Sequence, residues 1–128
     1  LHQNRLDEAD ANLRKAIPLS DQTFPVAAGS FRGTLALLLA QKGQHNEAVS
    51  LLKTGEPQVR HAPEEHAKFL CKKSQVCHLA GHPEEAQAAL KQAQGIAADL
   101  KVTDHSELGR AIAQLMVFLK TQSGSDEL

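Results

Sequence analysis

Apolar side chains return every three or four residues from Leu6 to Leu119, in blocks separated by Gly and Pro. Leu6, Ala9, Leu13, Ala16 and Ile17 fall on one face of a helix over 5–17, whose first turn carries Asp7 and Glu8. Residues 1–4 read as the end of a preceding helix or its loop. Pro18 is expected to end the first helix, and Ser20-Asp21-Gln22-Thr23 reads as a polar connection. The next helix opens at Phe24, with Pro25 in its first turn, and runs to Lys42. It is apolar nearly all round, and Gly29 and Gly33 within it call for a close helix neighbour. Gly43 turns the chain into a third helix over 46–54, which Gly55-Glu56-Pro57 is expected to break, leaving a loop over 56–62. Pro63-Glu64-Glu65 and Pro83-Glu84-Glu85 each start a helix with proline first and acids next; these run to about Ala80 and Leu100. Thr103 or Asp104 is placed to cap a sixth helix, with Ile112, Leu115, Met116 and Leu119 as its apolar face. The polar tail 121–128 is expected to fray.

One phrase recurs. Gly81-His82-Pro83-Glu84-Glu85-Ala86 running on to Leu90 repeats Gly43-Gln44-His45-Asn46-Glu47-Ala48 running on to Leu52, and Asn4-Arg5-Leu6-Asp7-Glu8-Ala9 running on to Leu13. Ala9, Ala48 and Ala86 stand 39 and 38 residues apart. Two antiparallel helices per such period predict an all-α, helical-hairpin solenoid of about six helices. The predicted division is a half-repeat over 1–20, repeats over 21–60 and 61–101, a last or capping helix over 104–120, and a flexible tail over 121–128.

Composition narrows this picture. Ala and Leu are abundant among the 128 residues and β-branched residues are sparse, as helices favour. The net charge of −1 gives no general pull toward nucleic acid or an anionic membrane. Four Phe with no Trp or Tyr supply few platforms for stacking bases. The longest apolar run, Leu35 to Ala40, is far shorter than a membrane span. No signal peptide is visible, and a cytoplasmic location is expected. Leu1 in place of a start Met, inside a repeat phrase, reads as a fragment of a longer protein.

The departures from apolar patterning offer little chemistry. Cys71 and Cys77 lie on one predicted helix, too far apart for an internal disulfide, and read as small hydrophobes. His61, His66, Cys71, Cys77, His78 and His82 cluster in sequence without the tight paired spacing of zinc ligands, so no metal is expected. Cys77 and His78, as helix neighbours, diverge by about 100° and do not form a nucleophile–base pair. The Glu pairs at 64–65 and 84–85 are explained by helix starts. No phosphate loop, Gly-x-Ser-x-Gly or His-Glu-x-x-His occurs, so neither an enzyme nor a cofactor is expected. The final Ser125-Asp126-Glu127-Leu128 only faintly matches a retention tail and reads as chance.

The repeat resembles the tetratricopeptide family. That family spaces a bulky residue, a large apolar residue beside a small one, and another bulky residue along its first helix, and Ala, bulky, Ala along its second. The chain supplies Arg32, Leu35-Ala36 and Leu39, then Gly43, Ala48, Leu52 and Gly55. It continues with Leu70, Lys73-Ser74 and Cys77, then Gly81, Ala86, Leu90 and Ala93, and ends with Gly109, Ile112-Ala113 and Met116. Asn4, Ala9, Leu13 and Ala16 form the front half-unit. Lys73 stands where the pattern has an apolar residue and Gly55 where it has Ala. Sel1-like and other helical-hairpin repeats share this outline. On this register Ala36, Ser74 and Ala113 let paired helices approach, and Leu39, Cys77 and Met116 fill space beside Ala9, Ala48 and Ala86.

The resemblance implies a non-enzymatic interaction module, a scaffold or adaptor segment, whose first helices line a concave groove for a peptide or partner helix. The groove positions are Leu37 and Gln41 from the second helix, Lys68, Lys72, Gln75 and His78 from the fourth, and Arg110, Gln114 and Phe118 from the sixth. Ser30, Gly33, Cys71 and Glu107 face the groove on the same register. Lys68, Lys72, His78 and Arg110 make one end basic, which favours an acidic partner, although a solvated face of ordinary lysines carries the same pattern. The Asn pair of the family's carboxylate-clamp members is absent. Two other readings are a structural solenoid filled within its own complex as an assembly core or spacer, and a sensor built on the His/Cys cluster. Exposed solenoid ends are expected to favour self-association.

Overall fold

A computed structural model describes residues 2–126. Six helices follow one another: α1 His2–Thr23, α2 Pro25–Gln41, α3 His45–Val59, α4 Pro63–Leu79, α5 Pro83–Leu100 and α6 Glu107–Asp126. Contacts run α1 to α2, α2 to α3 and α4, α3 to α4, α4 to α5 and α6, and α5 to α6. The helices therefore form hairpins α2/α3 and α4/α5. One layer holds α2, α4 and α6, and the other holds α1, α3 and α5. The hairpin turns are made by Gly43 and Gly81, with φ of +84° and +87°, a left-handed conformation that glycine adopts without steric cost.

The packing follows the repeat register. Leu35, Ala36 and Leu39 of α2 meet Ala48, Leu52 and Val59 of α3 in one core. Leu70, Cys71 and Cys77 of α4 meet Ala86, Leu90 and Ala93 of α5 in the next, together with Leu115 and Leu119 of α6. The Ser74 hydroxyl donates to the Ala86 carbonyl at 2.7 Å, so the small residues do bring α4 and α5 together. Leu108 joins Ala67 and Ala97 in a third cluster.

Several helix boundaries differ from the sequence reading, and tertiary contacts explain the two largest differences. The first helix begins at His2 and continues past Pro18 to Thr23. Its last turns are held by Asp21, which accepts from Arg32 of α2 at 2.6 and 2.8 Å and from Gln58 of α3 at 2.9 Å. Arg32 and Gln58 also bond each other, at 2.7 Å. The polar segment read as a connection is thus the anchored end of α1.

The third helix continues through Gly55 and Pro57 to Val59, and the expected loop over 56–62 shrinks to 60–62. Pro57 falls in the last turn. A Cβ on Gly55 would lie 2.9 Å from the Phe69 ring, and one on Gly29 would lie 2.8 Å from the Gly55 carbonyl. Gly55 is therefore a contact glycine where α2, α3 and α4 converge, rather than a breaker. Gly33, expected to face the groove, is buried against Phe69 for the same reason.

Ser106, not Thr103 or Asp104, caps α6: its hydroxyl accepts from the Gly109 N–H at 2.9 Å. Residues 121–126, expected to fray, continue α6, while 127–128 lie outside the described residues. Gly95 does not interrupt α5. Met116, expected to fill space beside Ala86, is 48% exposed; Leu115 and Leu119 turn inward instead.

Candidate functional site

The exposed side of the α2/α4/α6 layer is built from residues one or two turns apart on each helix. Lys68, Lys72, Gln75 and His78 of α4 run along its middle. Ser30 and Thr34 of α2 flank them on one side, and Glu107 and Phe118 of α6 on the other. These contacts tie Lys68 and Phe118 to neighbours on α4 and α6, and Lys72 to α2. Leu37 packs against the first core and is half-buried. Gln41, Arg110 and Gln114 are exposed, and Gln75 is half-buried. Cys71, expected to face the groove, is buried, and burial pushes its thiol up to about 11.

The lysines are not equivalent. Lys68 lies 2.9 Å from Glu107, 3.4 Å from Glu64 and 3.5 Å from Glu65. The hydrogen bond to Glu107 holds its ammonium above the usual lysine range, and Glu107 is held below the usual carboxylate range by the same contact. Lys68 is thus largely neutralised by the protein itself. Lys72 donates to the Thr34 hydroxyl at 2.9 Å. Burial pulls its ammonium below the usual range, with Glu65 partly opposing that shift. Glu65 in turn accepts from the Ser30 hydroxyl at 3.2 Å. At the far end, the His78 and Phe118 rings meet edge to face, with centroids 5.5 Å apart.

Thr34 and Glu65 were not anticipated as site residues. Thr34 stands 38 residues before Lys72, the repeat period, so the register held the signal for that pair. Glu65 was absorbed into the helix start, and its place beside Ser30 depends on how α2 and α4 meet.

A concavity of about 320 Å³ lies on the other layer, between α3 and α5 over α4. Val49, Leu52 and Cys77 form its apolar lining. Beside them Glu56 accepts from Lys73 at 2.7 Å and lies 3.3 Å from the His66 ring. Burial opposes the charge on Glu56, but Lys73 and His66 outweigh it and lower its titration. Lys73 therefore departs from the apolar repeat position because it pairs with Glu56 across the α3/α4 contact. None of the predicted groove residues lines this cavity. Cys77 at its edge is a free thiol that burial pushes up.

Among the described residues, no group of three or more His, Cys, Asp or Glu side chains is placed to hold a metal ion. No helix among them is long and apolar enough to cross a membrane.

Residues 67–100 match the family model described as tetratricopeptide repeat. The match runs from the second turn of α4 through all of α5. No curated protein and no solved structure matches the chain. The matched hairpin and its α2/α3 counterpart pack on the same register, and residues 67–100 are similar to a tetratricopeptide repeat within a helical-hairpin fold.

Proposed function

We propose that the chain is a non-enzymatic adaptor or scaffold segment that binds an acidic peptide or partner helix along the α2/α4/α6 layer. Repeats of this type generally mediate protein–protein interactions, and they are typically not enzymes. The observation that carries the reading is Lys72. Its ammonium is placed by the Thr34 hydroxyl at 2.9 Å, whereas neighbouring Lys68 is occupied by three carboxylates. A carboxylate arriving at Lys72 would restore charge balance to a half-buried cation, which favours an ion pair more than a fully solvated lysine does. Arg110, exposed on α6, extends the positive surface, and Gln75 and Gln114 offer amides to a peptide backbone. Leu37 and the His78–Phe118 pair supply apolar contact at the other end.

The test is an array of acidic, neutral and basic peptides probed with the wild-type chain, Lys72→Glu and Arg110→Glu. Binding to acidic peptides that both substitutions abolish supports the groove. Equal binding by all three proteins contradicts it and favours the structural reading, in which this layer is an assembly core or spacer.

A further inference from the structure

Lys68 and Lys72 lie one turn apart on α4, yet Lys72 donates to a hydroxyl while Lys68 is ringed by carboxylates. Glu64 and Glu65 reach Lys68 from the first turn of α4, at 3.4 and 3.5 Å, and Glu107 reaches it from the first turn of α6, at 2.9 Å. An acid in a first turn suits the helix dipole wherever its side chain points. That explains a Glu at 107 but not its crossing to α4. The Glu107 side chain is 74% exposed, so water can receive its carboxylate at little cost when another acceptor takes its place. The hydrogen bond from Lys68 lowers the titration of Glu107 most, and Arg110 and Lys72 add to the effect. Glu107 thus stands in the field of Lys68, Arg110 and Lys72 together, where a carboxylate from a ligand would gather the same partners.

We propose that Glu107 sets the specificity of the α2/α4/α6 layer: its carboxylate occupies Lys68 as an internal stand-in for a ligand, so that binding gains from one acidic side chain in a peptide, at Lys72, and not from a second beside it. This inference rests on the reading of that layer as a peptide groove. A second carboxylate has to displace Glu107 from Lys68 and settle beside Glu64 and Glu65, where like charges repel it. A single carboxylate at Lys72 meets a half-buried cation whose hydrogen-bond partner is the neutral Thr34 hydroxyl.

Fluorescence anisotropy at low ionic strength tests this, with labelled peptides of one neutral background carrying no glutamate, one, or two in succession. With the wild-type chain the one- and two-glutamate peptides should bind alike. With Glu107→Gln the two-glutamate peptide should bind about two- to fivefold more tightly than the one-glutamate peptide, the scale of a surface ion pair. Adding Lys68→Gln to that variant should remove the difference. Glu84→Gln takes the same charge from an exposed site on α5, in the other layer, and should keep the wild-type pattern, which separates the local contact from net charge. A two-glutamate preference in the wild-type chain or in Glu84→Gln, its absence in Glu107→Gln, or its persistence without Lys68 would each overturn the inference, while binding of the one-glutamate peptide leaves the groove standing. Failure of both acidic peptides to bind the wild-type chain and Glu107→Gln would overturn the groove reading and this inference with it.

Discussion

Helices α4 and α6 present the same kind of face in different settings. Cys77 and Met116 occupy one register position, yet the first is 4% exposed and the second 48%. The backward-facing positions behave alike in both helices: Phe69 and Val76 of α4 are buried, as are Leu108 and Leu115 of α6. Helix α6 is therefore docked on the preceding hairpin as the register requires, and only its forward face lacks a neighbour. Repeat position fixes which residues point along the solenoid, while burial also depends on whether the next helix is there. Identical motif positions should then carry different free energies.

Substitutions at matched positions probe that difference. The largest effect is expected for Leu39→Ala, which empties a fully buried site and should cost about 2–5 kcal/mol in denaturant unfolding. Met116→Ala, at the same register position, should stay within about 0.5 kcal/mol of wild type. Next comes Ala36→Leu, which overpacks the α2/α3 contact and should cost about 1–3 kcal/mol. Ala113→Leu should be nearly silent by comparison; equal losses in the two variants would mean that α6 is covered.

A smaller and pH-dependent effect is expected where α1 is anchored. The Arg32 guanidinium, with the Gln58 amide, holds Asp21 down to about 2 against an ordinary 3.8. A carboxylate lowered on folding stabilises fully above its unfolded value and loses that contribution as pH falls through its folded value. Asp21→Asn should therefore lower the thermal midpoint at neutral pH. The gap from wild type should close between about pH 4 and about pH 2. A gap independent of pH would assign the anchoring to shape rather than charge.

The solenoid outline was legible because it is written in local and periodic terms. Gly43 and Gly81 mark turns, Pro63 and Pro83 mark starts, and Ala48 and Ala86 repeat on one register. The misplaced boundaries share a physical cause. Pro18, Gly55 and Pro57 weaken a helix in isolation, but contacts with residues distant in sequence hold Gly55 and the turns beside the prolines. Asp21 bonds Arg32 and Gln58, and Gly55 meets Phe69 and Gly29. Such contacts outweigh a local preference of about 1 kcal/mol for Gly. The charge distribution over the expected groove positions was not legible. Lys68 and Lys72 look alike in sequence, and only the approach of Glu107 and Thr34 from neighbouring helices separates them. Lys73 looked like a flaw in the repeat until Glu56 was placed beside it.

The contrast between α4 and α6 can be read directly with a thiol reagent. Both native cysteines are free and buried, and burial keeps their thiols protonated and slow to react. The wild-type chain should therefore remain unlabelled under native conditions. Met116→Cys, assayed at low protein concentration, should label quickly at one site while Cys71 and Cys77 stay protected. Protection of the new cysteine, or labelling of Cys77 at a matching rate, would contradict the register that places one face inside the solenoid and its counterpart outside.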